Sequence, residues 1–439
     1  MTHRLLKFKF YGIKNIQKEI CLDFFNEYPS KKALEEESHI KALYGPNGSG
    51  KTAVCLAMHY YKKMCTDNRF LATDEAKGFT SSLNKKTKKF YCDVTFYCFF
   101  DGSDAKRRIY RHIIEVAHKN NQLTLLKEEL YVLGPRKEMR PIYLFSDEKG
   151  LYEDRNKTVK EYASGDLLSS ITARVLNKLF SIENDSEGLT FANKNIEILA
   201  PGLFSLMLQV EFGEKSDVPK DYSFLYDDKN WDIKKRMLRL ASDNLDSHKL
   251  GFDEIINSSE KKKFEKKLEK LSCFVKKMKP DLTRIKPEYY KINVGVGLTG
   301  VKLIFVYDDT EVDYKFESSG VKKIVRLFDL FTLASSKRNV VVIDEIDADV
   351  HDLFLCSLLD YFIRYTSTQL FITTHNIDLM NNIKSLKHSI DFLSQDNVLT
   401  SWANNGKKSP KRNYLGGMVS HIPFNLFSSD FAEIFENEE

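Results

Sequence analysis

The chain has 439 residues, a formal net charge of +5 and 42% apolar side chains, enough for two or three compact units or one large unit with an insertion. No apolar run approaches the ~20 residues that cross a bilayer, and no secretory leader is expected at the N-terminus. Seven scattered cysteines without a C-x-x-C pair argue against a disulfide framework or a zinc site and for a reducing cytoplasm, while the mild positive charge permits an anionic partner without requiring one.

The first lobe is expected to span residues 1–134. Leu6, Phe8 and Phe10 alternate with Lys7 and Lys9 as in a half-buried strand, and residues 21–24 offer it a hairpin partner. Residues 40–44 form an apolar strand, and residues 53–61 read as a helix. Between them lies Gly45-Pro46-Asn47-Gly48-Ser49-Gly50-Lys51-Thr52, which fits the G-x-x-x-x-G-K-[ST] phosphate loop in its required strand–loop–helix context. Its glycines let the backbone N–H groups of Asn47, Gly48, Ser49 and Gly50 curl around an anion at a positive helix end. Lys51 would reach the β- and γ-phosphates of ATP, and the Thr52 hydroxyl would bind Mg2+. Residues 62–89, rich in Lys, Thr and Ser, suggest a loop excursion. Residues 90–100 and 108–114 read as two antiparallel strands around an Asp101-Gly102 turn.

From 135 to 290 the pattern becomes mainly helical. Residues 167–179 carry apolar side chains at helical spacing. Residues 258–278 predict an amphipathic helix with Phe264, Leu268, Leu271 and Val275 on one face. Its other face is crowded with Lys261, Lys262, Lys263, Lys266, Lys267 and Lys270, either a solvated surface or a contact to nucleic-acid phosphates.

The last lobe, 291–439, returns to strands at 291–296 and 301–307. Ser318-Ser319-Gly320 opens a helix, where a plain serine cap and an anion-facing N-terminus are both open readings. Val340-Val341-Val342-Ile343-Asp344-Glu345 is a buried strand ending in two carboxylates, at the strand end where open α/β sheets bind ligands. Asp344 would hold Mg2+, and Glu345 would orient and deprotonate the attacking water. After a helix over 352–365, the strand 371–375 ends in His375, placed to hydrogen-bond a γ-phosphate oxygen.

These elements in this order resemble the ATP-binding cassette head, over roughly 1–134 and 290–400. The resemblance implies an α/β P-loop NTPase head, a mixed sheet with an antiparallel subdomain, interrupted by a mainly helical insertion. It also implies that Ser318, Ser319 and Gly320 of one copy complete the nucleotide site of another, hence a homo-oligomer of at least two chains. The transporter signature Leu-Ser-Gly-Gly-Gln is absent, the alignment of Ser318 against Ser319 is open by one, and no Q-loop glutamine is placed. The run Asp344-Glu345-Ile346-Asp347 followed by His351 is similar to the SMC/RecF-like branch, especially prokaryotic ATPases of phage-defence and abortive-infection systems. Lys411-Arg412-Asn413-Tyr414-Leu415-Gly416-Gly417, followed by Ile422-Pro423, extends that likeness. Membership implies an ATPase that senses or restrains a separate nuclease or toxin, such as a TOPRIM-type protein. The stretch after His375 carries no nuclease constellation, so any effector is expected to be another chain. The alternatives are a RecF-like ATPase that clamps DNA and a scaffold that uses ATP as structural glue. A transporter ATPase fits least, given the departed signature and the lack of a membrane segment.

Overall fold

The computed structural model describes residues 2–26, 29–99, 107–119, 122–155, 157–165, 167–212, 215–216, 254–258, 261–291, 298–335, 339–386, 388–402 and 409–419. Its strands begin with β1 (Thr2–Tyr11), β2 (Ile20–Asp23), β3 (His39–Tyr44), β4 (Lys89–Phe99), β5 (Arg107–Lys119) and β6 (Gln122–Leu133). They continue with β7 (Met139–Ser146), β8 (Gly150–Asp154), β9 (Leu208–Phe212), β10 (Lys215–Ser216), β11 (Glu254–Asn257) and β12 (Leu282–Tyr290). The last are β13 (Leu298–Tyr307), β14 (Glu311–Asp313), β15 (Val340–Ile343), β16 (Gln369–Thr373), β17 (Ile390–Leu393) and β18 (Leu399–Ser401).

Among the described residues these strands make three sheets. An antiparallel sheet has the order β2-β1-β4-β5-β6-β7-β8, and the central sheet has the order β10-β9-β15-β16-β3-β17-β18. In the central sheet the strands from β9 to β17 pair in parallel, and only the edges β10 and β18 are antiparallel. A smaller antiparallel sheet joins β11, β12 and β14 to β13.

The central strands are largely buried and mainly apolar because both faces are covered, with buried polar residues such as Lys41, Gln369 and Asp391 among them. Leu43, Val340, Val342 and Phe371 point into one core, with helices Lys51–Thr66, Ile171–Ser181 and Ile196–Met207 and the antiparallel sheet beyond. Ile40, Ala42, Tyr44, Val341, Ile343, Leu370 and Ile372 point into a second core under helices Ser319–Ala334 and Asp352–Tyr365. The result is an α/β head of mixed sheets, as the residue pattern implies.

Two buried polar contacts tie the layers together. The Gln369 side chain donates to Leu5 O at 2.7 Å and accepts from Leu5 N at 2.8 Å, joining β16 to β1. The fully buried Glu128 carboxylate accepts from Ile171 N at 2.6 Å, from Tyr143 Oη at 2.6 Å and from the His112 ring at 3.1 Å. An anion there satisfies donors at the N-terminus of helix Ile171–Ser181 and docks that helix on β6.

Strand pairings cross the divisions expected at 134 and 290. The division at 134 falls inside the antiparallel sheet, because β7 pairs with β6 and β8 with β7. The span 135–290 does contain helices Ile171–Ser181, Asp185–Lys194, Ile196–Met207 and Lys261–Lys276, but β9 within it belongs to the central sheet. That strand was hidden because Leu208 is at once the C-cap of helix Ile196–Met207 and the first residue of β9, so one apolar run serves both. The division at 290 likewise separates β12 from its partner β13. β12 ends at Tyr290, and the expected strand at 291–296 lies, beyond Lys291, outside the described residues. The expected loop at 62–89 holds the end of helix Lys51–Thr66 and a helix at Glu75–Ser82 with Phe79 buried. The Asp101-Gly102 turn and Ile422-Pro423 lie outside the described residues.

The amphipathic helix forms over Lys261–Lys276 and buries Phe264, Leu268, Leu271 and Val275; Ser272 Oγ accepts from Ile285 N of β12 at 2.8 Å. No helix among the described residues is long and apolar enough to cross a membrane.

Replacing Gln369 by Ala would strand a buried N–H and a buried C=O of Leu5, each worth about 1–3 kcal/mol when unsatisfied. We expect Gln369→Ala to lower the unfolding free energy by about 2–5 kcal/mol, read from the midpoint of urea denaturation; an unchanged midpoint contradicts this coupling of the sheets.

Candidate nucleotide site

The parallel strands deliver their C-terminal ends to one edge of the central sheet. There β3 runs into the phosphate loop, β15 into Asp344 and Glu345, and β16 toward His375. In the loop Gly48 and Gly50 take φ of 77° and 109°, conformations costly for residues with a Cβ. Gly50 is also held close, since a Cβ there would lie 2.5 Å from Ile16 Cδ1. Gly48 has open space where a Cβ would stand.

The loop fits a bound anion by its own unsatisfied groups. The Ser49 hydroxyl is fully buried and has no hydrogen-bond partner. Lys51 donates to Gly45 O at 2.8 Å and Pro46 O at 3.3 Å, so its ammonium rests on the loop's own carbonyls. Burial lowers the Lys51 pKa, against the attraction of Asp344, Glu345 and Asp347. Nucleotide phosphates would supply the partner that the Ser49 hydroxyl lacks and could replace the loop carbonyls that hold Lys51. Thr52, half-buried in the first turn of helix Lys51–Thr66, and Asp344, 3% exposed, offer the hard oxygen ligands that suit Mg2+.

The two carboxylates at the end of β15, Asp344 and Glu345, sit differently. Asp344 is held by Thr373 Oγ1, which donates to its Oδ1, and Asp344 N donates to Glu211 O of β9 at 2.8 Å. Glu345 is exposed, takes a left-handed φ of 49°, and its N–H donates to Thr373 Oγ1 at 2.8 Å. One hydroxyl therefore fixes both residues. His375 is exposed, and its backbone N–H donates to the Asp347 carboxylate at 3.1 and 3.3 Å. The loop that follows is pinned by Asn376 Nδ2 to Asp352 Oδ1 at 2.7 Å and by Lys411 to Asp378. Lys411 belongs to the sequence run that also supplies the buried Tyr414, which stacks on Phe392.

The signature-like residues lie at the start of helix Ser319–Ala334. Ser318 Oγ accepts from Val321 N at 3.3 Å, so Ser318 is the cap and Ser319 keeps an exposed side chain. The backbone of Gly320 approaches the loop after β15, where a Cβ would meet Asp349 O at 2.6 Å. No hydrogen bond among the described residues joins Ser318, Ser319 or Gly320 to the chain's own phosphate loop.

Several residues at the site had no signal in the sequence. Asn15 Nδ2 donates to Gly48 O at 2.8 Å and Gln395 Nε2 to Asn47 O at 3.3 Å, so the phosphate loop is steadied from both sides. Thr373 was read only as part of a strand. Beside β15, the strand β9 carries Gln209 and Glu211. Gln209 is used by Leu206 O and Lys62 Nζ, and the buried Glu211 is the residue next to Asp344.

Residues 40–381 match the family described as AAA domain, putative AbiEii toxin, Type IV TA system. The chain belongs to this family. Its fold is an α/β arrangement of mixed sheets in which the phosphate-loop sequence follows β3 at the C-terminal ends of the parallel strands. Similar solved structures include the Smc head bound to the C-winged helix domain of ScpA, at 12% identity and TM-score 0.43 over 92% of this chain and 98% of that one. A Pyrococcus furiosus Smc head with an extended coiled coil, bound to the C-terminal domain of ScpA, aligns at 14% identity and TM-score 0.41 over 91% and 96%. A Pyrococcus yayanosii Smc head with a coiled coil and joint gives 12% and 0.44 over 95% and 100%. No curated protein matches the chain.

The division of labour between Ser318 and Ser319 is testable. The Ser319→Ala protein should keep ATP binding and its folded stability but lose ATP hydrolysis, measured by phosphate release; unchanged hydrolysis contradicts a site completed by a second copy.

Proposed function

We propose that this chain binds and hydrolyses ATP and serves as the ATPase subunit of a prokaryotic anti-phage defence system. In this reading it senses or restrains a separate nuclease or toxin, for which a TOPRIM-type protein is one candidate, through ATP-dependent association of its own copies in the cytoplasm. The observation that carries the reading is the single sheet edge that gathers the phosphate loop, Asp344, Glu345 and His375 within a chain of this family.

Each residue then has a defined task. Lys51 and the N–H groups of residues 47–50 bind the phosphates. Thr52 and Asp344 hold Mg2+, which supplies charge neutralisation at the transferring phosphoryl group. Glu345 orients the attacking water and accepts its proton, and His375 hydrogen-bonds a γ-phosphate oxygen. Ser319 and Gly320 present a helix N-terminus to the nucleotide of a neighbouring copy. The exposure of Glu345, His375 and Ser319 agrees with a site that closes only on association.

A RecF-like DNA clamp is the second reading. Lys262, Lys266 and Lys270 are exposed at four-residue spacing along helix Lys261–Lys276, a row of cations on one face. Recovery of the Glu345→Gln protein from its native host in ATP and Mg2+, with and without nuclease, separates the two. A stoichiometric protein partner that survives nuclease is the expected result; recovery of DNA with no protein partner contradicts the effector reading and favours the clamp.

A further inference from the structure

The first two turns of helix Ser319–Ala334 grip the loop after β15 at two points. Lys323 is 5% exposed, and its Nζ donates to the backbone carbonyl of Glu345 at 3.3 Å. Glu211, Asp344 and Glu345 are the anions that act on this ammonium, and Arg326 is the opposing cation. Three residues earlier, Gly320 lies so close to the Asp349 carbonyl that no side chain fits between them. Between these contacts Glu345 and Asp349 hold left-handed φ of 49° and 61°. Residues with a Cβ keep that conformation only where their surroundings impose it. Thr373 Oγ1 fixes the Glu345 N–H, and Lys323 fixes its C=O. The side chain of Glu345 is exposed, and the direction of its Cα–Cβ bond is set by this backbone.

We propose that Lys323 is a positioning residue for ATP hydrolysis, holding the Glu345 backbone in the left-handed turn that aims the general base. The same lysine sits one turn beyond Ser319, so displacement of this helix by a neighbouring copy is felt at Glu345. This rests on the reading of the chain as an ATPase. It adds a residue that touches neither nucleotide nor water and acts only through Glu345.

The test compares Lys323→Met, Lys323→Arg and Glu345→Gln with the wild-type protein by ATP affinity, kcat, KM and thermal melting. Lys323→Met should bind ATP as wild type does while kcat falls on the order of 100-fold, as expected when a reacting group is misplaced by about an ångström. Lys323→Arg, which keeps a cationic donor, should recover most of the loss. Wild-type kcat in Lys323→Met, beside an inactive Glu345→Gln, overturns the proposal and leaves the ATPase reading intact. Parallel losses of ATP affinity, kcat and melting temperature that Lys323→Arg does not restore overturn it in favour of a purely structural charge. A wild-type protein without turnover overturns the ATPase reading and this proposal with it.

Discussion

The site depends on the parallel pairing of β15 between β9 and β16. Because these strands and β3 run the same way, their C-terminal ends meet at one edge, and residues far apart in sequence become neighbours there. The Thr373 hydroxyl completes the arrangement, donating to the Asp344 carboxylate and accepting from Glu345 N. The side-chain period in a strand is two, so a one-residue slip of β16 would turn Thr373 away and place its neighbours in the wrong cores. The apolar residues on both faces of β15 and β16 fix that register, and the polar site inherits its precision from them.

The same edge also sets the electrostatics. Lys51 and Lys323 enter it from opposite sides of the β15 carboxylates, one from the helix after the phosphate loop and the other from helix Ser319–Ala334. Both ammonium groups are buried enough to lower their pKa values, and both rest on backbone carbonyls. Lys51 could exchange the carbonyls of Gly45 and Pro46 for phosphate oxygens, whereas Lys323 has the carbonyl of Glu345, the proposed general base, as its partner. In the proposed reading, nucleotide arrival would be felt by the first lysine, and the position of helix Ser319–Ala334 by the second.

Most of this chemistry was legible because it is local. The phosphate loop, the strand ending in Asp344-Glu345, the helix Asp352–Tyr365 and the strand before His375 each depend on contiguous residues whose spacing carries the signal. The contributions of Lys323, Glu211, Asn15 and Gln395 were not legible, since each arises from contact between distant segments and has no motif of its own. The strand β9 within 135–290 was not legible for a related reason. Apolar periodicity continues without a break from helix Ile196–Met207 into β9, and only pairing with β15 shows where the helix stops. Ser318 and Ser319 could not be told apart by type, and the cap hydrogen bond to Val321 N distinguishes them.

The central claim is that the carboxylates at the end of β15 hydrolyse ATP held by the phosphate loop. The most direct test is steady-state phosphate release by the wild-type chain beside the Glu345→Gln protein, with ATP affinity measured on both. The account predicts Mg2+-dependent turnover in the wild type, and in the variant loss of turnover with ATP affinity retained. Equal phosphate release by the two proteins would contradict it.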